Sequence, residues 1–437
     1  MSLTATARRL WANDLVKILA TLLAFYAVYI LVGFLLDFSL RGQLNALARL
    51  TFLIAVYSML TLALNLHWGY TGLFNIGVAG FMAVALYTMA MVSKPPVSGP
   101  ESGAAFSGLG LPLPVGIAAG VLAAALLGLL VAIPTRRLRA DYLAIVTIAT
   151  SEIVRFTVLS REFQEFTLAG YELGTGGGRG LILNYPDPMR LVFRTGAYNA
   201  FVGAINPMFS GNIRPVTNSL SYAVVLLAFV AGFYWLLMRT GRSPFGRVLK
   251  AIREDEDVAS ALGKNTSLFK IKSFMLGCAL MGLGGILWQL RQGAITPGSF
   301  RPEITFFIWV ALIIGGVGSN TGSILGSIVF VAVLFEGPRF LKNLVSEAFG
   351  VPTPPSTIGN ALGPLVTDLD PEPFVAYALG NINTLQLVIV GLAIVVLMKR
   401  RPQGMLGHRK EIAASIPLAQ RGRGGQAEPA VDGGSDE

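Results

Sequence analysis

The chain is short of charge, cysteine and histidine, and each shortage removes a class of function. Asp, Glu, Lys and Arg make up 13% of its 437 residues, against roughly 25% in a soluble domain. The one cysteine, Cys278, lies in an apolar run and has no internal partner for a disulfide. The two histidines, His67 and His408, are far apart and neither has metal-ligand spacing. No P-loop is present: Gly263-Lys264-Asn265 lacks the upstream glycine and the hydroxyl residue after lysine. There is no nucleophile–base cluster of an embedded enzyme and no series of intramembrane carboxylates of a proton-coupled pump. The sequence therefore points to a non-enzyme without cofactor or metal.

Apolar length is what the chain does have. Hydrophobic residues make up 53% of it, mean hydropathy is +0.63, and several runs reach the ~20 residues that cross a bilayer. The short period-two segments of a barrel are missing. The expected fold is all-α, a polytopic helical membrane bundle. The net charge of +10 follows the short loops and tails, as the positive-inside rule requires, and so points to a membrane and not to nucleic acid.

Apolar runs predict spans over residues 16–38, 48–66, 73–92, 111–134, 141–159, 220–238, 269–290 and 384–398. Residues 305–335 are apolar but carry five glycines between Gly315 and Gly326, too many for one straight helix. The basic loop Arg136–Arg139, the charged segment near 246–265 and Lys399–Arg401 should share the cytoplasmic face. From a cytoplasmic N-terminus this holds only if 305–335 enters and leaves on one face. The prediction is thus about 8 full spans plus a glycine-broken hairpin, about 10 membrane helices. It makes residues 1–407 a transmembrane domain, with external loops 160–219 and 336–383, a cytoplasmic loop 240–266, and a polar, disordered cytoplasmic tail 408–437. Both termini are expected inside.

Three features carry functional expectations. Residues 246–265 form a charge-dense stretch with helical spacing. Val248, Leu249, Ile252, Ala259 and Leu262 can share one side while Arg253, Glu254, Asp255, Glu256 and Asp257 take the other. Such a surface helix between spans is a docking element for a soluble partner. Two glycine-punctuated segments, 65–80 and 315–326, mix Gly with Asn, Thr or Ser. Half-helix N-termini at such breaks would offer free backbone N–H groups to a carboxylate, which makes Gly69, Thr71, Gly72, Asn75, Gly77, Gly315, Gly316, Gly318, Asn320 and Thr321 candidate path residues. The plain alternative is that small residues allow close helix packing. Glu152 and Arg155 lie on one helical face within a span and could pair; they are either a functional intramembrane pair or a pair at the outer interface.

The runs HWGYTGLFNIGVAGFMAVALYT (67–88), DYLAIVTIATSEIVR (141–155), GRVLKAIREDEDVASALGKN (246–265), GGVGSNTGSILGS (315–327) and RPQGMLG (401–407) resemble, in that order, the permease subunits of ABC importers for branched-chain amino acids. The resemblance implies an inner-membrane, multi-pass permease. Its partners would be a second homologous permease chain, two cytoplasmic ATP-binding subunits, an extracytoplasmic substrate-binding protein, the lipid bilayer and an amino-acid substrate. It also assigns coupling to the ATPase to Gly246, Ala251, Glu254, Asp255, Ala259, Ala261 and Gly263. Loops 160–219 and 336–383 are longer than the family pattern. The urea and amide permeases of the same group share much of this signature, and a stand-alone secondary transporter is the competing class.

Overall fold

A computed structural model describes residues 13–95, 108–135, 140–168, 170–183, 196–208, 213–338, 353–400 and 403–406, with single positions at 340, 342 and 345. The basic loop at Arg136–Arg139 and the tail beyond 406 lie outside the described residues. The described chain is mostly helical. Its long helices are α1 (Asp14–Leu35), α2 (Leu40–Asn65), α3 (Val78–Ser93), α4 (Leu113–Thr135), α5 (Ala140–Leu159), α7 (Arg214–Arg242), α10 (Thr266–Gln289) and α15 (Ile382–Arg400). Shorter helices are α6 (Gly196–Ile205), α8 (Pro244–Glu254), α9 (Glu256–Ala261), α11 (Pro302–Gly315), α12 (Asn320–Val329), α13 (Ile358–Thr367) and α14 (Glu372–Gly380).

Among the described residues, six helices are long and apolar enough to cross a membrane, and two bent pairs raise the number to eight if each is one span. The second pair is α14 with α15. α3 is a shorter apolar helix. The helices fall where the apolar runs put them, with three shifts. α2 begins at Leu40, eight residues before the predicted 48, α7 begins at Arg214, six residues before the predicted 220, and α3 begins at Val78 because residues 72–77 are not helical.

α2 is the centre of the bundle. From Leu50 onward nearly all of its side chains are buried, and α7, α10, α11 and α12 pack around it. α1 presents most of its face outward, with Phe34 73% exposed, as a lipid-facing helix does. In lipid, apolar burial does not drive helices together; close van der Waals approach and interhelical hydrogen bonds do. The glycines of α10 serve that approach. A Cβ on Gly285 would lie 2.6 Å from Met82 Cβ, and one on Gly282 would lie 2.8 Å from Ala124 Cβ.

α11 and α12 form the hairpin that the glycines foretell. The chain turns by 115° between them, and a π-helical turn, Phe330–Phe335, continues α12. Asn75 beside His67 puts the end of α2 and the start of α3 together, so the start of α2 and the end of α3 share the opposite end of the bundle. Both feet of the hairpin are at that opposite end: Glu336 pairs with Arg49 of α2, and Phe300, just before α11, packs its ring on Tyr87 of α3.

Two loops contain more structure than their polarity implies. Phe166–Leu168 (β1) pairs antiparallel with Tyr171–Leu173 (β2). Leu181–Ile182 (β3) pairs with Ala294–Ile295 (β4) between α10 and α11, which ties the loop after α5 to the hairpin's entry. The predicted loop 336–383 holds α13 and α14.

Candidate functional site

The two glycine breaks meet at the end of the bundle where the charged segment lies, and buried polar side chains join them. α2 does not stop at Asn65; it widens into a π-helical turn, Leu66–Thr71, closed by Gly72 at φ +74°. Asn65 sits at this transition. Its Oδ1 accepts from Gly318 N at 2.8 Å, and its Nδ2 donates to Asn320 Oδ1 at 3.0 Å. Asn320 Nδ2 in turn donates to Tyr70 Oη at 2.7 Å. A Cβ on Gly69 would stand 2.9 Å from Gly318 N. The first break therefore rests directly on the second.

Neighbouring side chains accept from several of the backbone donors at the breaks, which narrows the expectation of free N–H groups. Gly77 N donates to Asn75 Oδ1 at 2.8 Å, Ile76 N to Thr147 Oγ1 at 3.0 Å, Ala79 N to Thr305 Oγ1 at 3.2 Å and Gly322 N to Ser319 Oγ at 3.1 Å. The physical reason is the cost of leaving a buried amide without a partner at membrane depth.

His67 is locked beneath the turn. Its Nδ1 faces Asn75 Nδ2 at 3.1 Å, and that amide can only donate. Its Nε2 faces Phe274 O at 3.0 Å, and that carbonyl can only accept. The ring therefore carries its proton on Nε2 and is neutral. It stacks on Phe274 at 4.7 Å and fills the space over Gly277, where a Cβ would be 2.0 Å from Nε2. Thr71 Oγ1 meets Ser273 Oγ at 2.7 Å on the same helix α10, and Thr321 Oγ1 meets Tyr234 Oη of α7 at 3.1 Å.

The charged segment docks onto the turn, but as two helices. Asp255 is extended and caps α9 by accepting from Val258 N at 3.0 Å. The break rotates α9, so Leu262 is 74% exposed and does not join Leu249 and Ile252 on the buried side. Arg253, read as part of the solvated face, instead turns inward and donates to Gly69 O. Lys250 donates to Gly241 O at 3.0 Å and lies 5.2 Å from the Tyr70 ring centroid. Of the coupling residues, Gly246 and Ala259 are buried, and Ala251 is half-buried. Glu254, Asp255, Ala261 and Gly263 are exposed.

The predicted path residues divide by environment. A Cβ on Gly315 would fall 1.9 Å from Gly322 O, and one on Gly77 would fall 2.3 Å from Thr147 O; these are close-packing positions. Gly316, at φ +105°, ends α11 in a conformation other residues rarely adopt. The segment after α15 braces this tip: Met405 N donates to Ile314 O at 2.8 Å and Leu406 N to Gly315 O at 3.0 Å. Gly69 and Gly72 line a cleft of about 820 Å³ with Trp68, Phe74, Trp309 and Arg253. Trp309 Nε1 is fixed by Asn75 O at 3.0 Å, so one indole forms part of the wall.

Residues 46–350 match the model of the family described as branched-chain amino acid transport system / permease component. The chain belongs to that permease family. It is 33% identical over 299 residues to the high-affinity branched-chain amino acid transport system permease protein LivM of Escherichia coli (strain K12), covering 67% of this chain and 62% of that protein. It is 33% identical over 286 residues to the protein of the same name in Salmonella typhimurium, covering 63% and 60%. The probable branched-chain amino acid transport permease protein LivM of Methanocaldococcus jannaschii is 28% identical over 346 residues, covering 78% and 87%. The chain thus matches about three fifths of the length of the two bacterial relatives. No solved structure matches it.

The permease's Glu152 and Arg155 form an ion pair, closest at 2.6 Å, on a face of α5 where the side chains keep 28% and 18% exposure. Arg155 also lies over the Phe156 ring at 4.3 Å. Sequence reasoning missed Asn65, Tyr70, Trp309, Lys250 and Arg253. Asn65 stood in the first glycine-punctuated segment, and an asparagine ending a long apolar run was the available signal. Nothing local marks Arg253, whose partner is 184 positions away.

Proposed function

We propose that this permease is one of a pair of membrane subunits of an ABC importer. It moves branched-chain or related amino acids across the inner membrane, driven by ATP hydrolysis on separate cytoplasmic subunits. A second homologous permease completes the path, and an extracytoplasmic binding protein delivers substrate. Residues 240–266 dock on an ATP-binding subunit, through Glu254, Asp255, Ala261 and the exposed apolar Val258 and Leu262. Gly246, Ala251, Ala259 and Gly263 shape the two-helix fold that presents them.

The observation that carries this reading is the chain of contacts from the charged segment to the first glycine break, and through it to the second: Arg253 to Gly69 and Gly69 against Gly318. An ATP-driven movement of α8 and α9 reaches the hairpin tip without passing through solvent, the arrangement a rigid-body switch requires. The cleft beside this contact is walled by Trp68, Phe74, Phe306, Trp309 and Ile313. That apolar lining suits a branched aliphatic side chain better than a small, fully polar amide. The cleft is read as this chain's half of the path, with Gly69 and Gly72 on its wall, and with Thr71, Asn75, Asn320 and Thr321 holding the wall in place.

The same reading places both termini in the cytoplasm. It counts α1, α2, α3, α4, α5, α7, α10 and α15 as full spans and α11–α12 as the hairpin. Residues 160–219 and 336–383 then face outside, and 408–437 form a cytoplasmic tail. The test is uptake of labelled leucine into proteoliposomes that hold the complete complex and its binding protein. ATP on the ATPase side should drive uptake. Uptake by this chain alone under an ion gradient would overturn the proposal in favour of a secondary transporter.

A further inference from the structure

At the opposite end of the bundle from the coupling segment lies a second cavity of about 420 Å³, within the ~300–1,000 Å³ range of small-molecule sites. It is a half-open pocket lined by α1, α2, the segment after the hairpin, the end of α14 and the start of α15. Its walls are of two kinds. One carries charge: Arg49, Glu336 and Lys342. The other is aromatic: Tyr29, Phe38 and Phe340, with Tyr29 and Phe340 rings 4.6 Å apart and Phe38 and Phe340 rings 6.2 Å apart.

We propose that this cavity binds a small zwitterion in which a primary ammonium stands beside an anionic oxygen group, with its apolar portion on the aromatic wall. Arg49 donates through Nε to Glu336 Oε1 at 3.1 Å. Among the described residues its two terminal nitrogens have no protein partner, and the side chain is 53% exposed. A guanidinium held at Nε and open at its far edge is presented for an oxyanion, in the paired geometry that carboxylates and phosphates accept. Lys342 on the same wall adds a second positive charge.

Glu336 supplies the complement for the ammonium. Its side chain is 12% exposed. Burial pushes its carboxyl above the usual range by more than Arg49 draws it down, and its place on the cavity wall sets a carboxyl group in reach of a bound ammonium. Tyr29 is held against the wall by its own bond to Ala332 O at 2.9 Å. A lone cation would face both Arg49 and Lys342, and a lone anion would face Glu336. A zwitterion satisfies both signs at once.

Two sources share this chemistry: a free α-amino acid and the ethanolamine head group of a phospholipid. The experiment uses the complete transporter in nanodiscs and compares wild type with Arg49→Gln, Lys342→Gln and Glu336→Gln. In one arm L-leucine is titrated by calorimetry into phosphatidylcholine discs. In the other, retained lipid is counted by native mass spectrometry from discs that mix phosphatidylethanolamine, phosphatidylcholine and phosphatidylglycerol. The proposal predicts that one of the two ligands binds. It also predicts that Arg49→Gln weakens this binding by about tenfold or more, and that Lys342→Gln and Glu336→Gln weaken it in the same direction. Leucine binding that responds to these variants identifies an amino-acid site, and selective retention of phosphatidylethanolamine identifies a lipid site. Leucine held only in the cleft at the other end would not respond to them. Lys342 is half-buried on the cavity wall, so its variant keeps the test decisive if Arg49→Gln assembles poorly. Binding of neither ligand, binding unchanged in all three variants, or retention of phosphatidylglycerol as strong as that of phosphatidylethanolamine would overturn the proposal.

Discussion

Replacing Arg253 with glutamine should uncouple ATP hydrolysis from transport while leaving the complex assembled. The substitution removes the charge-assisted hydrogen bond to Gly69 O and keeps much of the aliphatic stem that lies against Gly72, where a Cβ would be 3.4 Å from Arg253 Cγ. The Arg253 side chain is 17% exposed, so water replaces the lost donor only in part. A hydrogen bond from a charged group is worth about 1.5–3 kcal/mol. If the bond transmits force, up to that amount enters the coupling between sites, which corresponds to a fall of about 10- to 150-fold in transport per ATP. Arg253→Lys retains the charge on a shorter, single-point donor and should fall between the two. The assay is leucine uptake and phosphate release measured together in proteoliposomes. An uptake-to-ATP ratio within about twofold of wild type, with normal assembly, would refute the assigned role. A parallel loss of folded complex would mean that Arg253 acts on stability instead.

The glycine positions should separate by mechanism. Gly315→Ala forces the Gly322 backbone to move and should lower folded yield in fluorescence-detected chromatography. Gly72→Ala adds about 1–2 kcal/mol of left-handed strain and should lower transport before yield; equal loss of yield at both positions would count against the cleft assignment. Glu152→Gln should lower yield more than Glu152→Gln with Arg155→Gln, because the single change leaves a lone cation in a span; additive losses in a double-mutant cycle would show that the pair does not interact. A reporter fused after Leu406 should be active only in the cytoplasm, and periplasmic activity would invalidate the topology proposed for the hairpin.

The spans were readable because membrane length and apolar run length are the same quantity seen twice. The bend between α11 and α12 was readable because glycine density contradicts a straight helix. The Glu152–Arg155 pair followed from helical spacing alone. What stayed hidden depends on contacts between distant segments. Asn65 bonds Gly318 and Asn320, more than 250 positions away, and its Oδ1 satisfies a backbone donor that was expected to be free. The inward turn of Arg253 is equally non-local. The break at Asp255 is different: an aspartate three residues before the valine whose amide it accepts is a local capping signal. The smooth amphipathic pattern of 246–265 obscured it.

The central claim is that the coupling segment, the 66–72 turn and the hairpin tip move as one body when the ATP-binding subunits close. Spin labels attached to cysteines placed at Ser260, Gln403 and Leu35, all exposed positions, would test it by electron–electron distance measurement in the complete transporter. The account predicts that the 260–403 distance stays constant with and without trapped ATP, while the distances from both sites to 35 change. A 260–403 distance that shifts as much as the other two would contradict it.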